Sequence, residues 1–256
     1  MARQGKHARV RRRATDRRAI LPAMPAKEIA AFLRSTPVFA GLPAREIDSI
    51  ASIVSEESHR ARAYVFMEGD AARWFYVVKS GHVKILRQSR TGKDVVLELL
   101  GPGEIFGGVA VIEQRPYPAS AQATESSVVL KIPAEPMIAV AERHPAFIRE
   151  MALLIGRRLR DAHDSVKALA VGPVEARLAA NLLRLAGREG MATKDGVRLP
   201  YHLTRQSLAD MSGTTVETTI RILGRWSKEG LLDDDGGRLV LVDPDALRER
   251  AEGEAE

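Results

Sequence analysis

Among its 256 residues the chain has no cysteine. That absence excludes disulfides, thiolate zinc sites, cysteine-ligated iron–sulfur clusters and cysteine nucleophiles together. No apolar run approaches the roughly 18 residues of a membrane span. The basic start lacks the apolar core of a signal peptide, because Pro22, Pro25, Lys27 and Glu28 interrupt the residues just after it. There is no Gly-x-Ser-x-Gly, His-Glu-x-x-His or Gly-x-x-x-x-Gly-Lys motif, so nothing points to an enzyme. The six histidines (His7, His59, His82, His144, His163, His202) show no close metal-ligand spacing and read as surface or packed side chains, with no metal site expected. The expectation is a cytoplasmic protein without membrane contact.

What is present supports two packed domains: 45% of residues are hydrophobic and 28% charged. The net charge of +6 is local. Residues 1–18 hold eight basic side chains against Asp16, a balance of +7 that leaves −1 for the rest. Residues 1–25 therefore read as a solvated basic tail, and Met24 stands as an alternative start.

Two short amphipathic helices are legible between Ala26 and about Ile53. Strand patterns come next. Residues 75–79 and 82–86 flank Ser80-Gly81, which predicts a two-residue hairpin, and Thr91-Gly92 predicts a second turn. The run Gly101 to Gly108 reads as a tight glycine-permitted crossing, and two more strands end near Ile132-Pro133. A closed antiparallel β structure over residues 26–136 is expected.

From Pro145 to Val171 the pattern is one long helix within a helical stretch placed at 137–171. Ile148, Ala152, Ile155, Leu159, Ala162, Val166 and Leu169 recur at alternating spacings of four and three, a heptad seam that suits a parallel copy of itself. Phe147, Met151 and Leu154 form a second stripe, placed against the β domain. Arg157, Arg158, Arg160 and Lys167 read as a solvated face. A homodimer is expected.

Gly172-Pro173 opens the last domain, residues 172–256. A helix from Val174 to Ala186 leads through a polar loop (Gly187 to Gly196) to a short strand, Val197–Leu199. Helices come at 205–212 and 214–228, then a hairpin turning at Asp233-Asp234-Asp235-Gly236-Gly237. This order describes a winged helix-turn-helix, and the overall class is α+β. Ala209 is small where two helices cross, and Gly213 supplies the left-handed turn between them. Thr214 or Thr215 caps the second helix. Val216, Glu217, Ile220 and Arg221 then share an outward face. Arginine there donates a fork to guanine, and glutamate accepts from cytosine.

Residues 204–223 resemble, without a gap, the DNA-reading segment of the Crp/Fnr superfamily of bacterial transcription regulators, with Val216-Glu217-Thr218 similar to its fumarate–nitrate branch. Upstream, Tyr64-x-Phe66-x-Glu68-Gly69-Asp70, Phe75-Tyr76-Val77-Val78-x-x-Gly81-x-Val83-Lys84 and Gly101-Pro102-Gly103-Glu104-x-Phe106-Gly107 resemble its cyclic-nucleotide-binding β-roll. The resemblance covers roughly residues 30–245. It implies a homodimer about the long helix, a double-stranded, near-palindromic DNA operator, and RNA polymerase as partner where the regulator activates. It further implies phosphate contacts from Arg205, Gln206, Thr215 and Thr218, and base contacts from Val216, Glu217 and Arg221. Family members carry Ser or Gly where this chain has Ile220, which can lie against a thymine methyl.

An effector pocket is expected at Gly107, Gly108, Val109, Pro118, Ala119 and Ser120. Cyclic-AMP-binding relatives place a Glu where Gly108 stands and an Arg-Ser pair where Pro118-Ala119 stand, so cyclic AMP is not the expected effector. A shift of one residue offers Ser120, and Arg115 is a substitute counter-charge. Residues 115–123 resemble members responsive to redox or nitric oxide, some through haem, which leaves haem open as a cofactor with no histidine singled out. The alternative is a cyclic-nucleotide-binding regulatory protein that acts on a protein partner rather than DNA.

Overall fold

The computed structural model describes residues 25–88, 94–200 and 202–252, without the side chains of residues 168–171. The basic tail and the Thr91-Gly92 turn lie outside the described residues. Two amphipathic helices, α1 (Ala26–Ser35) and α2 (Ala44–Ile53), flank a 3-10 turn (Pro37–Phe39). They bury Ile29, Leu33, Phe39, Ile47 and Ile50 against the strands of the roll. These are β1 (Ser55–His59), β2 (Tyr64–Phe66), β3 (Trp74–Ser80), β4 (Val83–Gln88), β5 (Asp94–Leu100) and β6 (Ile105–Phe106). After the single-turn helix α3 (Gly108–Ile112) come β7 (Ser120–Ala123) and β8 (Ser127–Pro133).

The strands form two antiparallel sheets, β1-β8-β3-β6 and β2-β7-β4-β5. Residues of both meet in one core that includes Phe66, Tyr76, Val83, Leu100 and Val129. Strand β3 is buried on both faces: Tyr76 and Val78 enter that inner core, whereas Phe75 and Val77 join the helices outside. This produces its continuous apolar run.

The hairpin expected at Ser80-Gly81 does not form. Both edges of β3 are taken by β8 and β6, while β4 pairs with β5 and β7 in the other sheet. Gly81 (φ 72°) turns the chain between sheets, with the backbone of Ser126 and Ser127 packed where a side chain would project. The glycine-rich crossing does occur, for β5 and β6 lie in different sheets, with Gly103 at φ 85° and Gly107 at φ 78°.

The helical stretch placed at 137–171 is parts of two helices, α4 (Ala134–Arg143) and α5 (Pro145–Val171). His144 interrupts them (φ −126°, ψ 87°), and Pro145 has no N–H to continue the first. Helix α5 is about 40 Å long at the usual rise. Its Phe147 and Met151 are buried and Leu154 half-buried on the outer face of the roll.

The last third builds α6 (Val174–Glu189), β9 (Met191–Thr193), β10 (Gly196–Arg198), α7 (Arg205–Ser212), α8 (Val216–Lys228), β11 (Leu232–Asp235), β12 (Arg238–Leu241) and α9 (Pro244–Glu252). The polar loop expected from Gly187 to Gly196 is instead the last turn of α6 followed by β9 and its hairpin with β10. All three β9 residues are exposed, so no hydrophobic alternation marks the strand. Helix α9 is an addition to the expected elements. Its signals are Asp243, whose carboxylate accepts from the backbone N–H groups of Asp245 and Ala246, and Pro244 in the first turn. Leu178, Leu182, Leu208, Trp226, Leu241 and Leu247 make the core of this domain, and Leu99 of β5 packs into it. Among the described residues no helix is long and apolar enough to cross a membrane.

Candidate nucleic-acid interface and effector pocket

The helix-turn-helix is fixed from within. Ala209 is fully buried at the α7–α8 crossing, and Gly213 adopts the left-handed conformation (φ 59°, ψ 45°) that ends α7. Leu208, Ile222 and Leu223 face inward, and Met211 is partly buried beside them. Beneath the turn, Asn181 donates to Ser212 Oγ (2.9 Å) and Arg177 Nε to the Ser212 carbonyl (2.8 Å). The buried Ser212 at the head of the turn, with its hydroxyl and carbonyl paired, holds one geometry.

Thr215, rather than Thr214, caps α8, accepting from the backbone N–H of Thr218 at 3.2 Å. Glu217, Ile220 and Arg221 are exposed and Val216 half-exposed, so the expected face points outward. Glu217 and Arg221 form no ion pair with each other. The Glu217 carboxyl is held below the usual glutamate range by its own backbone N–H and the Thr215 hydroxyl. The Arg221 guanidinium has no partner among the described residues.

Around this face, Gln206 donates to Asp210 (2.7 Å). The wing turns at Gly236-Gly237 alone, because Asp233, Asp234 and Asp235, expected in the turn, pair with β12 as part of β11, and Asp234 lies 3.5 Å from Arg205. Asp235 pairs with Arg198 at 3.2 Å. Asp234 and Asp235 thus each face an arginine, and among the described residues no group of three His, Asp or Glu could hold a metal. Residues 172–256 count twelve basic and fifteen acidic side chains, so attraction to phosphate must come from placement.

The expected effector pocket is a hollow of about 140 Å³ between the roll and α5. Gly107, Gly108, Val109, Pro118 and Ala119 line it, but Ser120 does not. The Ser120 hydroxyl accepts from the Glu68 backbone N–H at 2.9 Å, across β7 and β2. Arg115 lines a different hollow with Arg73 and Pro136, so it is no substitute counter-charge in the first. The Phe66 and Tyr117 rings stack at 3.8 Å in its wall. Beside Gly108, any Cβ would lie 2.6 Å from the Phe75 ring.

Sequence reasoning missed the charged pair in this wall. Arg158, assigned to a solvated face, places Nε 3.0 Å from Glu98 and donates to the Ile105 carbonyl at 2.8 Å. Burial pushes the Glu98 carboxyl up, against the pull of Arg158. The hollow is smaller than the roughly 300–1,000 Å³ of ordinary ligand pockets. At about 140 Å³ it is too small to fit haem.

The seam residues Ile148, Ala152, Ile155, Leu159, Ala162 and Val166 are all exposed along α5. The side chain of Leu169 lies outside the described residues.

Two family models match the chain: a cyclic nucleotide-binding domain at residues 56–144 and a Crp-like helix-turn-helix domain at residues 176–250. The chain is 30% identical over 221 residues to the cyclic AMP receptor protein of Thermus thermophilus, covering 86% of this chain and 99% of that protein. It is 29% identical over 206 residues to the fumarate and nitrate reduction regulatory protein of Salmonella typhi, covering 79% and 81% respectively. Among solved structures it is similar to the c-di-GMP responsive global regulator CLP of Xanthomonas campestris, with a TM-score of 0.66 at 25% identity over 78% of this chain and all of that one.

Proposed function

The chain belongs to the Crp/Fnr family of DNA-binding transcription regulators, and from that premise we propose that it acts in the cytoplasm as a homodimer that reads a near-palindromic operator with α8. The observation that carries the reading is the outward face of that helix. Glu217, Ile220 and Arg221 stand exposed on a helix whose opposite face, with Ile222, Leu223 and Trp226, is core. Arg221 recognises a guanine edge, Glu217 a cytosine amino group, and Val216 and Ile220 thymine methyls. Thr215 and Thr218 at the helix N-terminus, with Arg205 and Gln206 from α7, hold phosphates. RNA polymerase is the further partner where the bound dimer activates.

The dimer rests on the α5 seam. Ile148, Ile155, Leu159 and Val166 are 43–65% exposed on one stripe, an apolar surface that a second copy would cover. Two recognition helices related by a two-fold axis then enter successive major grooves about 34–36 Å apart.

The roll does not take cyclic AMP. Pro118-Ala119 offers no charge for a phosphate, and Phe75 leaves no room at Gly108 for a carboxylate to meet the ribose. The cation in the wall, Arg158, already faces Glu98. Selection from random DNA, followed by gel shift, tests the core of the proposal. Enrichment of two inverted half-sites one turn apart is expected; a single half-site, or no enrichment, overturns it.

A further inference from the structure

His82 sits between two domains. It comes directly after Gly81, just before β4, and its side chain is 5% exposed. Nδ1 lies 2.5 Å from Glu125, in the β7–β8 turn of the roll. Nε2 lies 3.1 Å from Glu189, the last residue of α6 in the winged helix domain. The backbone of His82 is tied separately: its N–H donates to Ser127 Oγ (3.1 Å), and its carbonyl accepts from Thr124 Oγ1 (3.2 Å). The backbone of His82 is therefore held independently of the charge on its ring.

We propose that His82, as an imidazolium, is a proton-dependent latch that holds the winged helix domain against the roll by bridging Glu125 and Glu189. The proposal rests on the regulator reading and specifies one way in which that regulator is controlled. Only the doubly protonated ring donates to both carboxylates. The neutral ring, itself nearly buried, turns one lone pair toward a carboxylate, which is repulsive.

The surroundings favour the proton. Glu104, from the β5–β6 connection, pairs with Arg188 of α6, and Glu98 of β5 faces Arg158. Arg188 also acts on Glu189 and Asp161 on Glu98, and Glu150, Arg157 and Arg160 line the hollow alongside, but the ring itself is faced by two carboxylates, Glu125 and Glu189. Burial opposes the charge on His82, but Glu189 and Glu125 outweigh it, and the group lies above the ordinary histidine value. The Glu189 carboxylate also packs where a Gly101 side chain would project, so it has a fitted seat on the roll. The same surface carries the rest of the docking: Ser207 and Met211 of α7 lie over Val96, Leu99 and Thr124.

The sign is set by the raised value. The latch is complete below the unperturbed histidine value of about 6.5 and is lost as pH rises through the raised one. Release is thus expected on the alkaline side.

The absence of cysteine makes the test direct, because Arg60→Cys and Ser227→Cys place two spin labels, one on each domain, in an otherwise thiol-free chain. Labelled chain diluted into excess unlabelled chain reads the intrachain distance alone. A narrow distribution in mild acid that broadens at about pH 9 is expected, with a midpoint above that of free histidine. In His82→Gln the distribution should not change with pH. In Glu189→Gln, which leaves the roll untouched, the midpoint should fall, as should the His82 ring titration followed by NMR. A distance independent of pH in the parent chain, or a transition that survives in His82→Gln, overturns the latch. Operator affinity measured on the same samples separates the two readings: loss of all DNA binding with the distance change intact would count against the DNA reading alone.

Discussion

At the scale of single residues, two arginines of the proposed DNA face differ in their surroundings. Arg221 is exposed without a partner among the described residues on the outward face of α8, whereas Arg205 begins α7 beside Asp234. Arg221→Ala should cost about 1–3 kcal/mol on the specific site and flatten the preference at one base pair. Arg205→Ala should weaken all sequences alike and lower the salt slope by about one. Binding isotherms at several salt concentrations on matched and mutated operators check both. Equal, sequence-independent losses from the two substitutions would sink the assignment.

Glu175 is a second residue whose environment decides a measurable property. It accepts from Trp226 Nε1 (2.8 Å) and Arg250 (2.9 Å), and it also pairs with Arg225, joining α6, α8 and α9. Burial works against its charge, but Arg225, Trp226 and Arg250 prevail and the carboxyl lies below its usual range. A depressed carboxylate contributes stability above the unfolded value of about 4.3 and loses it as pH falls through the folded one. The parent chain should therefore lose stability in acid more steeply than Glu175→Gln, as urea unfolding at neutral and acid pH would reveal. Identical acid slopes would remove Glu175 from the account.

At the scale of elements, α5 shows how one helix serves two surfaces. Phe147 and Met151 are buried against the roll, while the stripe from Ile148 to Val166 is open. In the proposed dimer, replacing Ile155 and Leu159 together with Glu puts four like charges across the two-fold axis, where each would be desolvated. Sedimentation should then report monomers, and operator binding should fall with the loss of the second half-site. A dimer with intact operator binding would place the contact elsewhere. The doubled periodicity of α5 is legible in sequence because both stripes keep helical spacing. The fate of Arg158 is not, because its partner Glu98 is 60 residues away and no local pattern announces it.

At the scale of the whole molecule, the proposed lack of a cyclic-nucleotide site rests on one hollow. The hollow between roll and α5 measures about 140 Å³ and has the Phe66–Tyr117 stack in its wall. A cyclic nucleotide there would need a counter-charge and a ribose partner, and a lost charged hydrogen bond costs about 1.5–3 kcal/mol. With both partners gone, several decades of affinity go with them. Calorimetry with cyclic AMP and cyclic GMP should show no binding at micromolar concentration. Micromolar binding of either, lost in Arg158→Gln, would show that Arg158 leaves Glu98 to serve a phosphate.

Periodicity and turn chemistry by themselves determined the long helix, the crossing at Gly103 and Gly107, and the helix-turn-helix down to Ala209 and Gly213. Each of these depends on neighbours within a few residues, so the sequence carries the whole signal. Strand pairing does not. Ser80-Gly81 has the composition of a hairpin, and only the occupied edges of β3 send β4 to the opposite sheet. Strand β9 is exposed throughout and exists because β10 offers it an edge. The bridge from Glu125 through His82 to Glu189 spans 107 residues from ring to far carboxylate. A histidine in sequence is a surface or packed side chain until folding decides what faces each nitrogen. Electrostatic partnership acts through space, and the tertiary structure alone brings those three groups together.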